Sequence, residues 1–188
     1  MSKIGRRPIL IPAGTDVKVA DGVVQIAGKK ARASFPYPGE FQVKLEGGAL
    51  TVSAQKTAGE APPGASARYG TLRAKLNNAI VGCSTGYQKN LKLEGTGYKA
   101  ELKGKVLTLS LGLSHQVVQE VPEGVKITIP AESKQTVLQL DATNKDVLGQ
   151  FVAKLQSHRP PEPYQGKGVR IEGVRIRQKA GKSGKGGK

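Results

Sequence analysis

Apolar and polar residues alternate along much of the chain, the period-2 signature of strands with one buried face. The pattern is carried by Phe41, Val43 and Leu45; Leu50, Val52 and Ala54; Tyr98, Ala100 and Leu102; Leu107, Leu109 and Leu111; and Val125, Ile127 and Ile129. Each run is short and ends in Gly, Pro or charged residues. Asp21-Gly22 and Glu46-Gly47-Gly48 favour hairpin turns. Antiparallel sheet with one solvated face is therefore expected.

Two segments carry a helical period instead. Tyr69, Leu72, Leu76 and Ile80 fall on one face of the first, and Val147, Leu148, Phe151, Val152 and Leu155 on one face of the second. Both stripes read as core facing a sheet. Thr143 and Asp146 fit a capping box at the start of the second helix, and Pro160 marks its end.

Each helix follows a run of strands, and the runs resemble one another. DGVVQIAG at 21–28 is matched by GKVLTLSLG at 104–112, and FQVKLEGGALTV at 41–52 by VKITIPAESKQTVLQL at 125–140. Pattern and order recur together, which points to a tandem duplication. The expected fold class is α+β, with two tandem duplicated domains, each a small antiparallel sheet packed against one helix. The expected boundaries are 1–82 for the first domain and 83–177 for the second, followed by a tail at 178–188.

Charge changes the picture from fold to partner. The chain of 188 residues carries a formal net charge of +16 and only 4% aromatic residues, so a polyanion is the expected partner, nucleic acid before membrane. From 159 to 188, nine Lys or Arg stand against two Glu, a net +7 in 30 residues. Residues 178–188, QKAGKSGKGGK, contain four Lys and four Gly and no large apolar side chain, so a basic disordered tail is expected. No apolar run approaches the roughly 20 residues of a membrane-spanning helix. Lys3, Arg6 and Arg7 precede only Ile9-Leu10-Ile11 before Pro12, too short for a signal sequence, so the chain reads as unprocessed and intracellular. The lone Cys83 can close no intramolecular disulfide and reads as a small buried hydrophobe at a helix end.

Catalytic motifs find little support. Gly95-Thr96-Gly97-Tyr98-Lys99-Ala100 matches a relaxed dinucleotide fingerprint, but the residues after the glycines alternate like a strand, where the motif needs a helix. Gly181-Lys182-Ser183 imitates the end of a phosphate-binding loop, yet Ile176 stands where that loop needs glycine. His115 and His158 are isolated, carboxylates are scattered, and no metal-ligand spacing is present. No enzymatic activity, cofactor or metal is expected. His158 reads as a cation at a helix C-terminus or a phosphate contact.

The stretch HRPPEPYQGKGVRIEG at 158–173 suits neither helix nor strand. Pro160, Pro161 and Pro163 stiffen it, Gly166 and Gly168 allow close approach, and Arg159, Lys167 and Arg170 supply cations. Such a loop suits phosphates. Tyr164 either stacks on a ribose or unpaired base, or covers the core. Beyond it, Val169, Ile171, Val174 and Ile176 alternate with Arg170, Arg175 and Arg177, which predicts a strand with one cationic face and a bulge at Gly173.

PEPYQGKGVR at 161–170 resembles the signature of the ribosomal protein L6 family of the large subunit, which typically reads P-x-P-Y-K-G-K-G-I-R. MSKIGRRPILIP at 1–12, RYGTLRAKLNNAIVG at 68–82 and LEGTGYKA at 93–100 are also similar to segments of that family, so the resemblance covers nearly the whole chain in order. Gln165 departs from the usual lysine and removes one cation from the loop, and the Gly/Lys tail is longer than the family pattern. The resemblance implies a bacterial-type structural protein, not an enzyme, that binds large-subunit (23S) rRNA near the sarcin–ricin loop and the stalk base. Neighbouring ribosomal proteins and translation factors would be close by, in the cytoplasmic ribosome, with no homo-oligomer. It maps rRNA contact onto Arg159, Pro163, Tyr164, Gly166, Lys167, Gly168 and Arg170, to which the reading of His158 as a phosphate contact adds that residue. The basic segment adds Arg175, Arg177, Lys179, Lys182 and Lys185, and the LEGTGYKA segment adds Gly95, Gly97 and Lys99. The alternative is a basic RNA-binding or RNA-processing protein outside the ribosome.

Overall fold

The computed structural model describes residues 2–54, 64–133 and 135–181. Within them the order of elements is β1 (Ile9–Leu10), β2 (Asp16–Ala20), β3 (Val23–Ala27), β4 (Arg32–Pro36), β5 (Phe41–Glu46), β6 (Ala49–Ala54) and α1 (Ala65–Ser84). Then come β7 (Tyr87–Glu94), β8 (Lys99–Lys103), β9 (Val106–Ser110), β10 (Val117–Glu120), β11 (Val125–Thr128), β12 (Val137–Ala142), α2 (Lys145–His158) and β13 (Gly168–Ile171). The fold is α+β. The chain divides into two compact units, Met1–Tyr87 with Thr143–Lys145 and Gln88–Ala142 with Asp146–Lys188.

The first unit holds two sheets, ordered β1-β6-β5 and β2-β3-β4, where a single sheet was expected. Its hairpins form where the turn residues place them. Asp21 and Gly22 both have positive φ, as do Gly47 and Gly48, the geometry whose twist matches a two-residue hairpin. What alternation cannot specify is the partner of β1, which crosses the whole unit to pair with β6 through Ile9 opposite Leu50. Helix α1 packs on β3, β4 and β6 and so touches both sheets. Its Tyr69, Leu72, Leu76 and Ile80 are all buried, as their period predicts, together with Val24, Ile26, Phe41 and Val52 from the strands. Each such side chain contributes about 1.5–3 kcal/mol on burial. Leu45 was expected in this core but is 48% exposed. Its cross-strand partner Leu50 is fully buried, so Leu45 lies at the rim of the same face.

Tyr69 also anchors the N-terminal arm. Its ring stacks on Phe41 with centroids 6.1 Å apart, its hydroxyl donates to the Val52 carbonyl at 2.7 Å, and a side chain on Gly5 would overlap it. Arg73 donates to the carbonyls of Arg7 and Pro8. The arm's backbone thus lies on α1 while Lys3, Arg6 and Arg7 stay exposed. Cys83 is buried near the end of α1, and that burial pushes its thiol up from the ordinary range.

The second unit repeats the pairings with one addition. Its sheets are ordered β10-β9-β8 and β11-β12-β7-β13, so β8, β9 and β10 correspond to β2, β3 and β4, while β7, β12 and β11 correspond to β1, β6 and β5. The added strand is β13. Helix α2 begins within a residue of the expected Thr143 cap and ends at His158, just before Pro160. It buries Leu148, Phe151, Val152 and Leu155, while Val147 is half-buried. Gly95-Thr96-Gly97 joins β7 to β8 as a strand–turn–strand, the arrangement that rules out a dinucleotide fingerprint there.

Candidate nucleic-acid interface

The loop at 159–167 connects α2 to β13, and backbone hydrogen bonds fix its shape. The Glu162 N–H donates to the Lys167 carbonyl at 2.8 Å, and the Val169 N–H to the Arg159 carbonyl at 2.9 Å. With Pro160, Pro161 and Pro163 restricting φ, the loop is closed by its own backbone. Gly168 has φ +134, and a Cβ there would stand 2.7 Å from the Pro160 oxygen and 2.9 Å from the Arg159 oxygen. Gly166 has φ +72, and a Cβ on it would overlap the Arg170 guanidinium. Gly168 is therefore required by the loop's own backbone, and Gly166 by its left-handed φ. Pro163 is half-buried, and its carbonyl accepts from the Lys179 N–H at 2.9 Å, which brings the segment after β13 back onto the loop.

Tyr164 is 54% exposed, so it does not cover the core and its ring is available for stacking. Arg159 and Lys167 are exposed as well. Among the described residues neither stands in an ion pair, nor do Arg175, Arg177 or Lys179, all three exposed. Arg170 is different. Its Nη1 meets Glu94 Oε2 at 2.7 Å and its Nε donates to the Gly166 carbonyl at 2.5 Å, with the side chain 24% exposed. His158 is the last residue of α2 and half-buried, and its Nε2 is enclosed with no hydrogen-bond partner among the described residues. Its position suits a helix C-terminus.

Strand register brings two distant segments together. β13 pairs antiparallel with β7, placing Gly168 opposite Glu94, so the 95–97 turn lies at the same end of β7 as the loop tip. Gly95 serves packing there, because a Cβ would lie 2.6 Å from the buried Tyr98 ring. Gly97 has φ +74 in open space, and Lys99 is exposed at the start of β8.

The cationic strand expected through Ile176 stops earlier. β13 ends at Ile171, the Glu172 N–H reaches the Asn90 carbonyl at 2.9 Å, and the Val174 N–H turns back to Ile171 at 3.3 Å. Gly173, at φ +81, takes the turn in place of a bulge. Val174 is 58% exposed in consequence. Arg175 and Arg177 thus lie on an irregular segment, and Lys182 and Lys185, with most of the expected tail, lie outside the described residues.

Sequence reasoning missed Glu94, Lys92 and Asn90. Lys92 Nζ holds the second oxygen of Glu94 at 3.1 Å, and Asn90 Nδ2 donates to Glu172 Oε2 at 2.7 Å. Only the pairing of β13 with β7 makes them neighbours of the loop. Among the described residues no cluster of His, Cys, Asp or Glu could hold a metal ion, and no helix is long and apolar enough to cross a membrane.

The family model for ribosomal protein L6 matches residues 94–172, a span that runs from the carboxylate paired with Arg170 to Glu172, just past β13. Across the whole chain, the large ribosomal subunit protein uL6 of Rhodopseudomonas palustris (strain BisA53) is 40% identical over 182 residues, 97% of this chain and 99% of the relative. That of Streptococcus mutans serotype c (strain UA159) is 40% identical over 185 residues, 98% of this chain and 100% of the relative. That of Neisseria meningitidis serogroup B (strain MC58) is 40% identical over 182 residues, with 97% and 99% covered. With similarity at this level running from end to end, the chain belongs to the ribosomal protein L6 family.

Proposed function

We propose that the protein is a structural constituent of the large ribosomal subunit, not an enzyme, and binds large-subunit (23S) rRNA through the loop at 159–168. The contact lies near the sarcin–ricin loop and the stalk base, beside neighbouring ribosomal proteins and the site where translation factors dock, in the cytoplasmic ribosome. Family membership supports the ribosomal assignment. The observation that carries the RNA contact is the exposure of Tyr164 on a loop whose shape its own backbone bonds fix, with Arg159 and Lys167 exposed on the same loop and unpaired among the described residues. A stiff backbone presenting an aromatic ring and free cations suits a shaped phosphate surface, because it is ordered before binding.

The two domains, 1–82 and 83–177, arose by tandem duplication, and the second is the main rRNA-binding one. The recurrence of strand order and pairing in the two units supports this reading. Lys182 and Lys185 extend the contact through the tail by displacing counterions from phosphates. The test is binding of the full chain to a factor-site fragment of large-subunit rRNA and to an unrelated structured RNA of equal length, across a salt series. Preference for the first at physiological salt is expected. Equal affinity and equal slope for the two RNAs would overturn specific recognition by this chain.

A further inference from the structure

Arg170 belongs to the cationic set by sequence, but its surroundings differ from those of every other cation on the loop. On β13 it stands directly opposite Lys92 of β7. Like charges facing each other across an antiparallel pair repel. Glu94 relieves the repulsion by taking Lys92 on Oε1 at 3.1 Å and Arg170 on Oε2 at 2.7 Å. The same guanidinium reaches the other way, from Nε to the Gly166 carbonyl at 2.5 Å, inside the loop tip. A planar fork spans two acceptors in fixed directions, which the point charge of a lysine does not. A phosphate seeking Arg170 would have to displace a carboxylate already paired with it.

We propose that Arg170 is a positioning residue and not a phosphate contact: with Glu94 as its anchor it forms a brace that holds the 165–167 tip in the shape that meets RNA. The proposal rests on the RNA-binding reading above. It fits glycine at 166, where φ is +72 and a Cβ would also meet the guanidinium. It also explains why a carboxylate lies beside a surface for polyanions. Glu94 contributes through Arg170 and Lys92, and its own charge is masked by them.

Charge counting and the brace predict opposite signs for one substitution. If only charge mattered, Glu94→Ala would remove a repulsive carboxylate and tighten RNA binding. With the brace, Glu94→Ala frees Arg170, loosens the tip and weakens binding to the large-subunit rRNA fragment by about tenfold, the scale of a lost hydrogen bond to a charged group. Arg170→Lys keeps the charge but breaks the span, so it weakens binding to a similar extent with the salt slope unchanged. Lys167→Ala, the comparison, lowers the slope by about 0.7–0.9. Tighter binding by Glu94→Ala, or wild-type binding by Arg170→Lys, would overturn the brace.

A second readout is independent of RNA. The Glu162 amide, bonded to the Lys167 carbonyl at 2.8 Å, reports on the tip in the free full-length protein. Faster hydrogen exchange at Glu162 in both variants, with melting temperatures near that of wild type, supports the brace; unchanged exchange overturns it. If the wild-type chain shows no preference for the large-subunit fragment, the proposed function fails, and the exchange measurement still decides the brace.

Discussion

Replacing Gly168 with alanine places a methyl group where two carbonyl oxygens already are. The new Cβ would lie 2.7 Å from the Pro160 oxygen and 2.9 Å from the Arg159 oxygen, on a backbone at φ +134. Neither oxygen can retreat freely. The Arg159 carbonyl accepts the Val169 N–H at 2.9 Å, and Pro160 follows it in a run of restricted φ. A residue forced into sparsely populated φ/ψ space costs about 1–3 kcal/mol. Stretching the Arg159–Val169 bond adds about 0.5–1.5 kcal/mol. The expected loss is then about 1.5–4.5 kcal/mol. In a unit of roughly 100 residues, each kcal/mol lowers Tm by about 4–8 °C, so even the lower bound gives about 6 °C.

The comparison that isolates the clash is Gly173→Ala. Gly173 also has a left-handed φ, +81, but nothing lies within 4 Å of its Cβ position. It should lose only the conformational part, about 1–2 kcal/mol. Calorimetry of the full chain reads both, with the second unit's transition affected and the first unit's unchanged. Equal melting of the two variants would refute the claim that close approach, and not φ alone, requires glycine at 168.

Other substitutions separate binding from stability. Lys167→Ala, on an exposed side chain with no ion pair among the described residues, should leave Tm within about 2–4 °C, since surface changes stay near ±0.5 kcal/mol or less; a salt series that shows unchanged affinity and slope removes it from the contact. Tyr164→Ala should likewise melt normally yet weaken binding by about 1–3 kcal/mol if its exposed ring stacks on a base; wild-type affinity in the same titration would leave the ring without a stacking role. For Cys83, burial raises the thiol, so the folded chain holds the proton more tightly than the unfolded one. The stability this contributes is fully present below the ordinary thiol range near about 8.5 and declines as pH rises through it. Alkylation at pH 8.5 should accordingly be slow in the native chain and fast in denaturant, and equal rates would contradict the burial.

The parts legible in the sequence are those set by near neighbours. The faces of α1 and α2 follow from a 3.6-residue period, the hairpin turns from Asp21-Gly22 and Gly47-Gly48, and the stiff loop from its prolines and glycines. Long-range pairing was not legible. Nothing near Glu94 signals that it will face Gly168 and bind Arg170, because that follows from the register of β13 on β7. The expected strand beyond Gly173 failed for a related reason. Alternation at Val174 and Ile176 describes a face, but Val174 directs its N–H back to Ile171 and leaves the ladder.

The recurrence of pairings shows where the loop stands relative to the repeated pattern. After α1 the chain reaches β7 through Thr85 and Gly86 alone, whose N–H groups both return to the Val81 carbonyl at 3.0 Å. After α2 the chain reaches β13 through residues 159–167. The two connections occupy the same place in the order of elements, helix to next strand, yet only the second has room for prolines, a ring and exposed cations. The strand that receives it, β13, has no counterpart within the first unit's sheets. Sheet and helix recur in both units, while the ring and cations of the proposed RNA contact lie in the longer connection, whose ends are fixed by α2 on one side and by Gly168 opposite Glu94 on the other. A loop anchored at both ends and braced from β7 keeps its shape without a partner, and that is the condition under which a few exposed side chains discriminate a folded RNA from any other polyanion.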